Sequence, residues 1–277
     1  MWTPRLVIAA LIGGLLIASA GDAFAQQDPK KAAKKYRKAT VKAPGDPDNW
    51  YNLSLALVTL EEWAEADGST AKLLELDPEN ARAHFLRGQV LTGLGRPAEG
   101  VKALRTAVEL DDTFVEALSN LGQAQVAAGQ YADGIKTYKK ALRAKPENKA
   151  SFYNNIGDAY FQQGDTGNAT KWFKRTVDEN PNDATAHFNL GVLFGKLARE
   201  DSDFRPQAAA SFVRAAELDP RDPMIRFLAG ESLLLSGGKD AEARDQLQTC
   251  LKLDPSGKKV GDQVHELAKL YLEELGK

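Results

Sequence analysis

The sequence contains one cysteine, three histidines and a single long uncharged run. One thiol, Cys250, cannot form an intrachain disulfide, so the fold must be stable without one. His84, His187 and His265 lie far apart, with no second histidine or cysteine near any of them. Because zinc sites and Cys–His nucleophiles need such residues in close groups, we expect no metal site and no cofactor.

The uncharged run at 6–20, LVIAALIGGLLIASA, follows Arg5 and precedes the small-residue sequence AFA at 23–25. Such a segment is typical of a secretory signal peptide, here cleaved before Gln26. Its fifteen residues fall short of the roughly 20 that a membrane-spanning helix needs. We therefore predict a signal peptide at 1–25 and Sec-type export to the periplasm or the exterior. The alternative is an uncleaved membrane anchor.

Charge is unevenly distributed along the chain. Residues 1–45 carry eight basic and two acidic residues, which leaves 28 basic and 36 acidic residues, a formal charge near −8, for 46–277. Affinity for duplex nucleic acid comes mainly from phosphate neutralisation, so an acidic body disfavours a nucleic-acid partner.

The chain from residue 47 onward repeats with a period of 34 residues or slightly more. Each unit has an apolar stripe at helical spacing, a glycine-containing turn, a second apolar stripe and, in most units, a closing proline. We predict six units, 47–80, 81–114, 115–149, 150–183, 184–222 and 223–255. A helix pair of this kind cannot bury its apolar faces alone, so neighbouring units must stack.

The unit at 150–183 shows the pattern most fully, with Tyr153, Ile156, Gly157, Tyr160, Ala169, Phe173, Thr176 and Pro181. This pattern resembles the tetratricopeptide repeat (TPR). The resemblance implies an all-α, right-handed α-solenoid of stacked helix-turn-helix repeats, which serves as a non-enzymatic protein interaction scaffold. Two departures stand out. Ser54 and Thr70 replace the usual glycine and aromatic residue in the first unit, and the fifth unit has a longer charged turn at 197–206, either a solvated loop or a projecting lip.

The two ends of the repeat array have their own predictions. In 26–46, Ala32, Tyr36, Ala39 and Pro44 keep the spacing of a second helix. We interpret this basic N-terminal arm as the orphan second helix of a partial repeat; the alternative is a disordered tail. Residues 256–277 place apolar side chains on one stripe and charges elsewhere, which predicts a C-terminal capping helix.

In the TPR family the first helix of each repeat lines the concave groove. Position 6 of the repeat is asparagine in four of six units, and we call these residues, Asn52, Asn120, Asn155 and Asn189, the asparagine ladder. A side-chain amide offers donors and an acceptor, so it can pair with an extended peptide backbone. The alternative is that these asparagines are solvated surface residues that bind no ligand. The other candidate peptide-binding residues are Tyr51, Phe85, Gln89, Gln123, Asp158 and Phe188. For Tyr51, Phe85 and Phe188 the alternative role is packing between adjacent helices.

Some family members clamp a partner's C-terminal carboxylate with lysine and arginine at positions 5 and 9, and neither position is basic in any unit here. A neutral or basic extended segment of a partner protein is therefore the expected ligand, and an acidic C-terminal tail is not. In the alternative function the basic arm contacts a membrane surface or an anionic polymer such as a polysaccharide, through Lys30, Lys31, Lys34, Lys35, Arg37 and Lys38. No catalytic constellation is present in the sequence, so we expect no enzyme.

Overall fold

The computed structural model describes residues 28–276, so the predicted signal peptide lies outside the described residues. The described residues divide into two compact units, with the boundary between Ala124 and Gln125. Residues 28–276 contain fourteen α-helices, one short 3₁₀ helix and no strand. Among these helices, none combines the length and the apolar character that a membrane-spanning segment requires.

The helices have closely similar lengths. Those that begin in the first unit are α1 Pro29–Lys42, α2 Pro47–Thr59, α3 Trp63–Leu76, α4 Ala81–Gly93, α5 Pro97–Leu110 and α6 Val115–Ala127, whose end passes the unit boundary. Those of the second unit are α7 Tyr131–Arg143, α8 Lys149–Gln163, α9 Thr166–Glu179, α10 Ala184–Leu197, α11 Arg205–Leu218, α12 Pro223–Ser236, α13 Asp240–Leu253 and α14 Asp262–Leu275.

The predicted fold class is confirmed, an all-α solenoid of stacked helix-turn-helix repeats. In the first unit α2 packs on α3 and α4 on α5, and α3 joins the two pairs by packing on α4. In the second unit α8 packs on α9, α10 on α11 and α12 on α13, and each pair contacts the next. These helix pairs therefore pack on their sequence neighbours, as stacking of repeats requires.

Side-chain caps fix where the first helix of most repeats begins. Asp46, Asn80, Asn148, Asp183 and Asp222 each accept a backbone N–H from the first turn of the helix that follows. These bonds satisfy donors that a helix end would otherwise leave unpaired. At the other end of α8, Gly164 adopts a φ of 88°, which favours glycine and ends the helix.

Small residues at position 8 let the two helices of a repeat approach closely. A Cβ added to Gly157 would lie 2.7 Å from Cδ1 of Phe173, and one added to Gly191 would lie 2.7 Å from Cδ1 of Phe212. In the first repeat Ser54 takes this place, and its hydroxyl lies 2.9 Å from the hydroxyl of Ser69. A buried polar contact therefore replaces the glycine–aromatic contact there.

The turn between α10 and α11 is partly ordered by one aromatic residue. Residues 199–203 are exposed, and Ser202–Phe204 form the 3₁₀ helix. The ring of Phe204 stacks on Phe194 with centroids 6.1 Å apart and planes at 13°. The charged insertion thus combines a solvent-exposed stretch with an aromatic anchor on the core.

Both ends of the described chain are helical. The helix α1 packs on α2 and buries Ala32 and Ala33, and Tyr36 joins the same core cluster. The helix α14 packs on α13, with Ala268 and His265 buried. These two helices cover apolar surface that a terminal repeat would otherwise leave open to water.

Candidate functional site

In the second unit, two rungs of the asparagine ladder lie on neighbouring first helices. Asn155 on α8 is half-buried, and its amide makes no hydrogen bond within residues 28–276. Asn189 on α10 donates its amide N–H to Oδ1 of Asn154, at 2.8 Å. This bond holds the side chain of Asn189 against α8. Of the two asparagines, only Asn155 therefore has an amide with no partner within the described chain.

An acidic group shares the face of α8 that carries Asn155. Asp158 is half-buried and accepts a hydrogen bond from Nε2 of Gln162 at 2.6 Å. Burial raises the pKa of Asp158, and the bond from Gln162 offsets only part of that rise. No ion pair to Asp158 occurs in the described chain, so a cation from a ligand could pair with it.

Repeat six carries a second half-buried acid at the equivalent position. Glu231 on α12 accepts a hydrogen bond from the hydroxyl of Tyr271 at 3.1 Å. Burial raises the pKa of Glu231, and the hydrogen bond from Tyr271 opposes that rise. Glu231 is thus tied to the capping helix α14, whereas Asp158 has only its helix neighbour.

The first-unit rungs are less uniform than the sequence suggests. The amide of Asn52 donates to the backbone oxygen of Asp48 at 2.7 Å, so it is turned back along its own helix. Asn120 and Gln89 are half-buried, and Gln123 is exposed. Recurrence at position 6 therefore does not give every asparagine the same hydrogen-bonding state.

The predicted aromatic binding residues are packed against the core. The ring of Phe85 lies 5.1 Å from Phe114, and the ring of Phe188 lies 5.8 Å from Phe212. Tyr51 is half-buried, and burial raises the pKa of its hydroxyl. Packing within the protein therefore explains the aromatic residue at each of these three positions. Only part of each side chain is left exposed to a ligand.

A recurring hydrogen bond at position 4 was not anticipated from the sequence. Its donors reach the carbonyl oxygen of the proline six residues earlier: Trp50 to Pro44 (2.8 Å), His84 to Pro78 (2.8 Å), His187 to Pro181 (3.0 Å) and Arg226 to Pro220 (3.4 Å). The proline-to-donor spacing of six was the available signal. Both histidines therefore have a structural partner.

The cysteine is buried and unreactive. Cys250 lies in a core cluster with no exposed surface, and burial raises the pKa of its thiol to about 11. Because the thiolate is the reactive form, a protonated and buried thiol is a poor nucleophile. Within residues 28–276, no three His, Cys, Asp or Glu side chains lie close enough to hold a metal ion.

The lysines of the basic arm are exposed, whereas its arginine is half-buried and paired with two glutamates. Arg37 bonds to the carboxylates of Glu62 and Glu65 on and beside α3, and these bonds raise the pKa of the guanidinium. Arg37 thus belongs to the contact between α1 and α3, which corrects its assignment to a free basic surface. The exposed lysines of α1 are Lys30, Lys31, Lys34, Lys35, Lys38 and Lys42.

Comparisons with known proteins give one family. The sequence profile of the tetratricopeptide repeat matches residues 18–67, 51–113, 119–184, 157–199 and 192–258. Anaphase-promoting complex subunit 3 of Schizosaccharomyces pombe is 22% identical over 212 residues, 76% of this chain and 31% of that subunit. The chain thus spans less than a third of that relative's length.

Two solved structures share the fold. YrrB, described as a TPR protein with an unusual peptide-binding site, has a TM-score of 0.53 and 22% identity, covering 73% of this chain and 97% of its own. PilW, described as a widely conserved type IV pilus biogenesis factor, has a TM-score of 0.64 and 17% identity, covering 83% and 98%. At such identities these likenesses establish the architecture alone.

Proposed function

This chain belongs to the tetratricopeptide repeat family, and from that premise we propose that it is an adaptor that binds an extended segment of a partner protein. Proteins of this family generally act as protein–protein interaction scaffolds, and the fold is typically non-enzymatic. The proposed site is the face of the second unit's first helices that carries Asn155, Asp158 and Asn189. In the first unit, Asn120 and Gln89 occupy the corresponding positions.

The observation that carries this proposal is the state of Asn155. Its amide is half-buried and has no hydrogen-bond partner in the described chain, while the next rung, Asn189, is held in place by Asn154 at 2.8 Å. The amide nitrogen and oxygen of Asn155 are unpaired but not buried, so both are open to a ligand. A peptide backbone offers an N–H and a C=O, which this amide can bond without giving up a partner within the protein.

The acid beside Asn155 selects the character of the ligand. Asp158 lies one helical turn further along α8 and has no cationic partner. A lysine or arginine in the bound segment would pair with this carboxylate, and a charge-assisted hydrogen bond of that kind is roughly twice as strong as a neutral one. We therefore propose a neutral or basic segment, with one basic side chain near Asp158.

The experiment selects peptide ligands without knowledge of the natural partner. Random twelve-residue peptides displayed on phage are selected against the full chain, and the enriched peptides are synthesised with a fluorescent label. Their dissociation constants are measured by fluorescence anisotropy for the wild type, Asn155→Ala and Asp158→Asn. We expect each substitution to weaken binding by about tenfold, the equivalent of about 1.4 kcal/mol.

The matched control is Asn182→Ala, an exposed asparagine in the turn before α10. It should leave the dissociation constant unchanged. Selected peptides that bind Asn155→Ala as tightly as the wild type, with the circular dichroism spectrum intact, would refute the proposed site. Enrichment of acidic rather than basic peptides on this face would refute the role of Asp158.

A second candidate function follows from the lysine surface of α1. Six lysines of this helix are exposed, while Ala32 and Ala33 of the opposite face are buried. Lysines near an anionic membrane surface contribute about 1 kcal/mol each. With export by the predicted signal peptide at 1–25, this surface would hold the adaptor at a membrane or at an anionic polymer in the cell envelope.

Co-sedimentation with phosphatidylserine vesicles tests this second function. Lys31→Gln/Lys34→Gln removes two charges without touching the buried face of α1, and Lys252→Gln/Lys258→Gln removes two exposed charges elsewhere. We expect the first pair to weaken binding by more than about tenfold and the second pair to leave it unchanged. Equal effects of the two pairs would refute a role for α1.

Export is tested separately by fractionating cells that express the full chain. The proposal predicts a processed protein in the envelope fraction, with Gln26 as its first residue on mass spectrometry. An unprocessed protein that remains with the soluble cell contents would refute it.

A further inference from the structure

A second cluster of side chains lies on the side of α8 away from Asn155. Tyr153 and Tyr160 face α9 and α7, since Tyr153 contacts Trp172 of α9 and Tyr160 contacts Lys139 of α7. Asn155 and Asp158 are on the other side of the same helix. This cluster is therefore separate from the face proposed to bind the peptide.

The cluster alternates cations with aromatic rings. Nζ of Lys139 lies 5.6 Å from the ring centres of both Tyr160 and Trp172, and 3.3 Å from the hydroxyl of Tyr160. The guanidinium of Arg175 lies 4.8 Å from the ring of Trp172, whose centre is 5.7 Å from that of Tyr153. We call Lys139, Tyr153, Tyr160, Trp172 and Arg175 the cation–aromatic cluster. Ring faces within about 6 Å of a cation attract it, so the two cations are held in place.

The cations of this cluster have no carboxylate partner. Neither Lys139 nor Arg175 forms a salt bridge within residues 28–276, and Arg175 is exposed. By contrast, Arg37, Arg87, Arg96 and Arg214 each form a salt bridge. Lys139 uses one of its three N–H donors on the hydroxyl of Tyr160, and the guanidinium of Arg175 has no hydrogen-bond acceptor within the described chain, so both side chains can still bind carboxylates.

The surrounding surface has the same sign of charge. Helices α7 and α9 together carry seven basic and three acidic residues, whereas residues 46–277 as a whole carry 28 basic and 36 acidic residues. Two of the three acids, Asp178 and Glu179, are the last two residues of α9. Lys136, Lys171 and Lys174 are exposed. The second helices of repeats three and four, α7 and α9, are thus basic although the protein as a whole is acidic.

We propose that the cation–aromatic cluster is a docking surface for an acidic segment of a second partner protein. Charge complementarity favours an acidic ligand, and the planar guanidinium of Arg175 matches the geometry of a carboxylate. A membrane is disfavoured because the large exposed apolar residues of the described chain, Val41, Leu110, Leu235 and Leu270, all lie outside α7–α9. With a basic segment bound near Asp158, the second unit would link two partners of opposite charge.

The test uses a fluorescein-labelled twelve-residue peptide of alternating glutamate and serine, with a glutamine–serine peptide as the neutral probe. Anisotropy is measured for the wild type, Lys139→Gln/Arg175→Gln and the control pair Lys252→Gln/Lys258→Gln. We expect the wild type to bind the acidic peptide and not the neutral one. The dissociation constant for the acidic peptide should rise at least about fivefold in Lys139→Gln/Arg175→Gln and stay unchanged in the control pair. The indole N–H resonance of Trp172 should shift on titration while that of Trp63 stays in place.

Other results would overturn the proposal. These are binding that the two substitutions in the cluster leave unchanged, equal binding of the neutral peptide, and binding of phosphatidylserine vesicles but not of the peptide. Asn155→Ala separates this surface from the first site, because it should leave acidic-peptide binding unchanged. Failure of either proposal therefore leaves the other intact. Circular dichroism spectra of both variants confirm that a loss of binding is not a loss of fold.

Discussion

The contact between Gly157 and Phe173 gives the sharpest stability prediction. Phe173 is 2% exposed, and three atoms of its ring would lie 2.7, 2.8 and 3.2 Å from a Cβ added to Gly157. Gly157→Ala therefore forces the ring or the helix to move by several tenths of an ångström. Gly195 on α10 is the matched control, because a Cβ added there meets no atom within 4 Å.

Two opposing terms set the expected magnitude for Gly157→Ala. Overpacking a filled core costs about 1–3 kcal/mol. Replacing glycine by alanine inside a helix gains up to about 1 kcal/mol in intrinsic propensity. Because three ring atoms are too close, we expect a net loss of about 1–2 kcal/mol in the free energy of unfolding. With Phe173→Ala in the background the ring is gone, so the same glycine substitution should gain about 1 kcal/mol.

The assay is urea unfolding followed by circular dichroism for the wild type, both single variants and the double variant. We expect a coupling free energy of about 2–3 kcal/mol between the two sites, and a small gain for Gly195→Ala. If Gly157→Ala stabilises the wild type as much as Gly195→Ala does, close helix approach is not why glycine stands at position 8. This comparison requires that the free energy of unfolding fall with urea concentration at a similar slope in all the variants, because a changed slope indicates a changed unfolded or native state.

Three further predictions concern polar groups of the second unit. Asp183→Ala, which removes the cap bonded to the N–H of Ala186 at 3.1 Å, should cost about 1 kcal/mol in urea unfolding, and Asp183→Asn much less. His187→Phe should cost about 1 kcal/mol, because the carbonyl of Pro181 loses its donor. For Asp158→Asn, burial raises the folded-state pKa of the carboxyl, so stability falls as pH rises through its titration range. The variant should therefore melt above the wild type at neutral pH, and the difference should shrink toward pH 4; a constant difference would contradict a buried carboxylate.

Much of the fold could be predicted because the repeat places the same residue types at fixed positions. Glycine at position 8 and an aromatic residue in the second helix recur with the period, and Gly157 and Phe173 do lie in contact. The asparagine and aspartate residues before the first helices also predict where those helices begin. Periodicity is a local signal, so it determines helix pairs well.

Contacts between neighbouring repeats could not be predicted as well. Asn154 stands at position 5, where an aromatic residue is usual, and its partner Asn189 is 35 residues away. The sequence does contain a signal for this contact, because position 5 of one repeat pairs with position 6 of the next. Phe188 at position 5 and Leu228 at position 6 of the following repeat belong to one core cluster in the same way. At these two boundaries between repeats, a polar residue at position 5 goes with a polar residue at position 6 of the next repeat, and an apolar residue goes with an apolar one.

The partners of charged side chains were the hardest to predict. Arg37 reaches Glu62 and Glu65 from α1, and Lys139 lies over rings of α8 and α9. Long cationic side chains can reach several neighbours, so sequence spacing alone does not determine which group they bind. The sequence predicts the lysine surface of α1, but it does not predict that Arg37 pairs with Glu62 and Glu65.

The proposed function depends most on Asn155, whose amide would pair with the backbone of a bound peptide. The most direct measurement compares a selected peptide with versions N-methylated at single backbone nitrogens, each against the wild type and Asn155→Ala. One methylated version should bind the wild type about tenfold more weakly and yet bind Asn155→Ala as well as the unmethylated peptide does. If every N-methylation weakens binding to both proteins equally, Asn155 does not hold the peptide backbone.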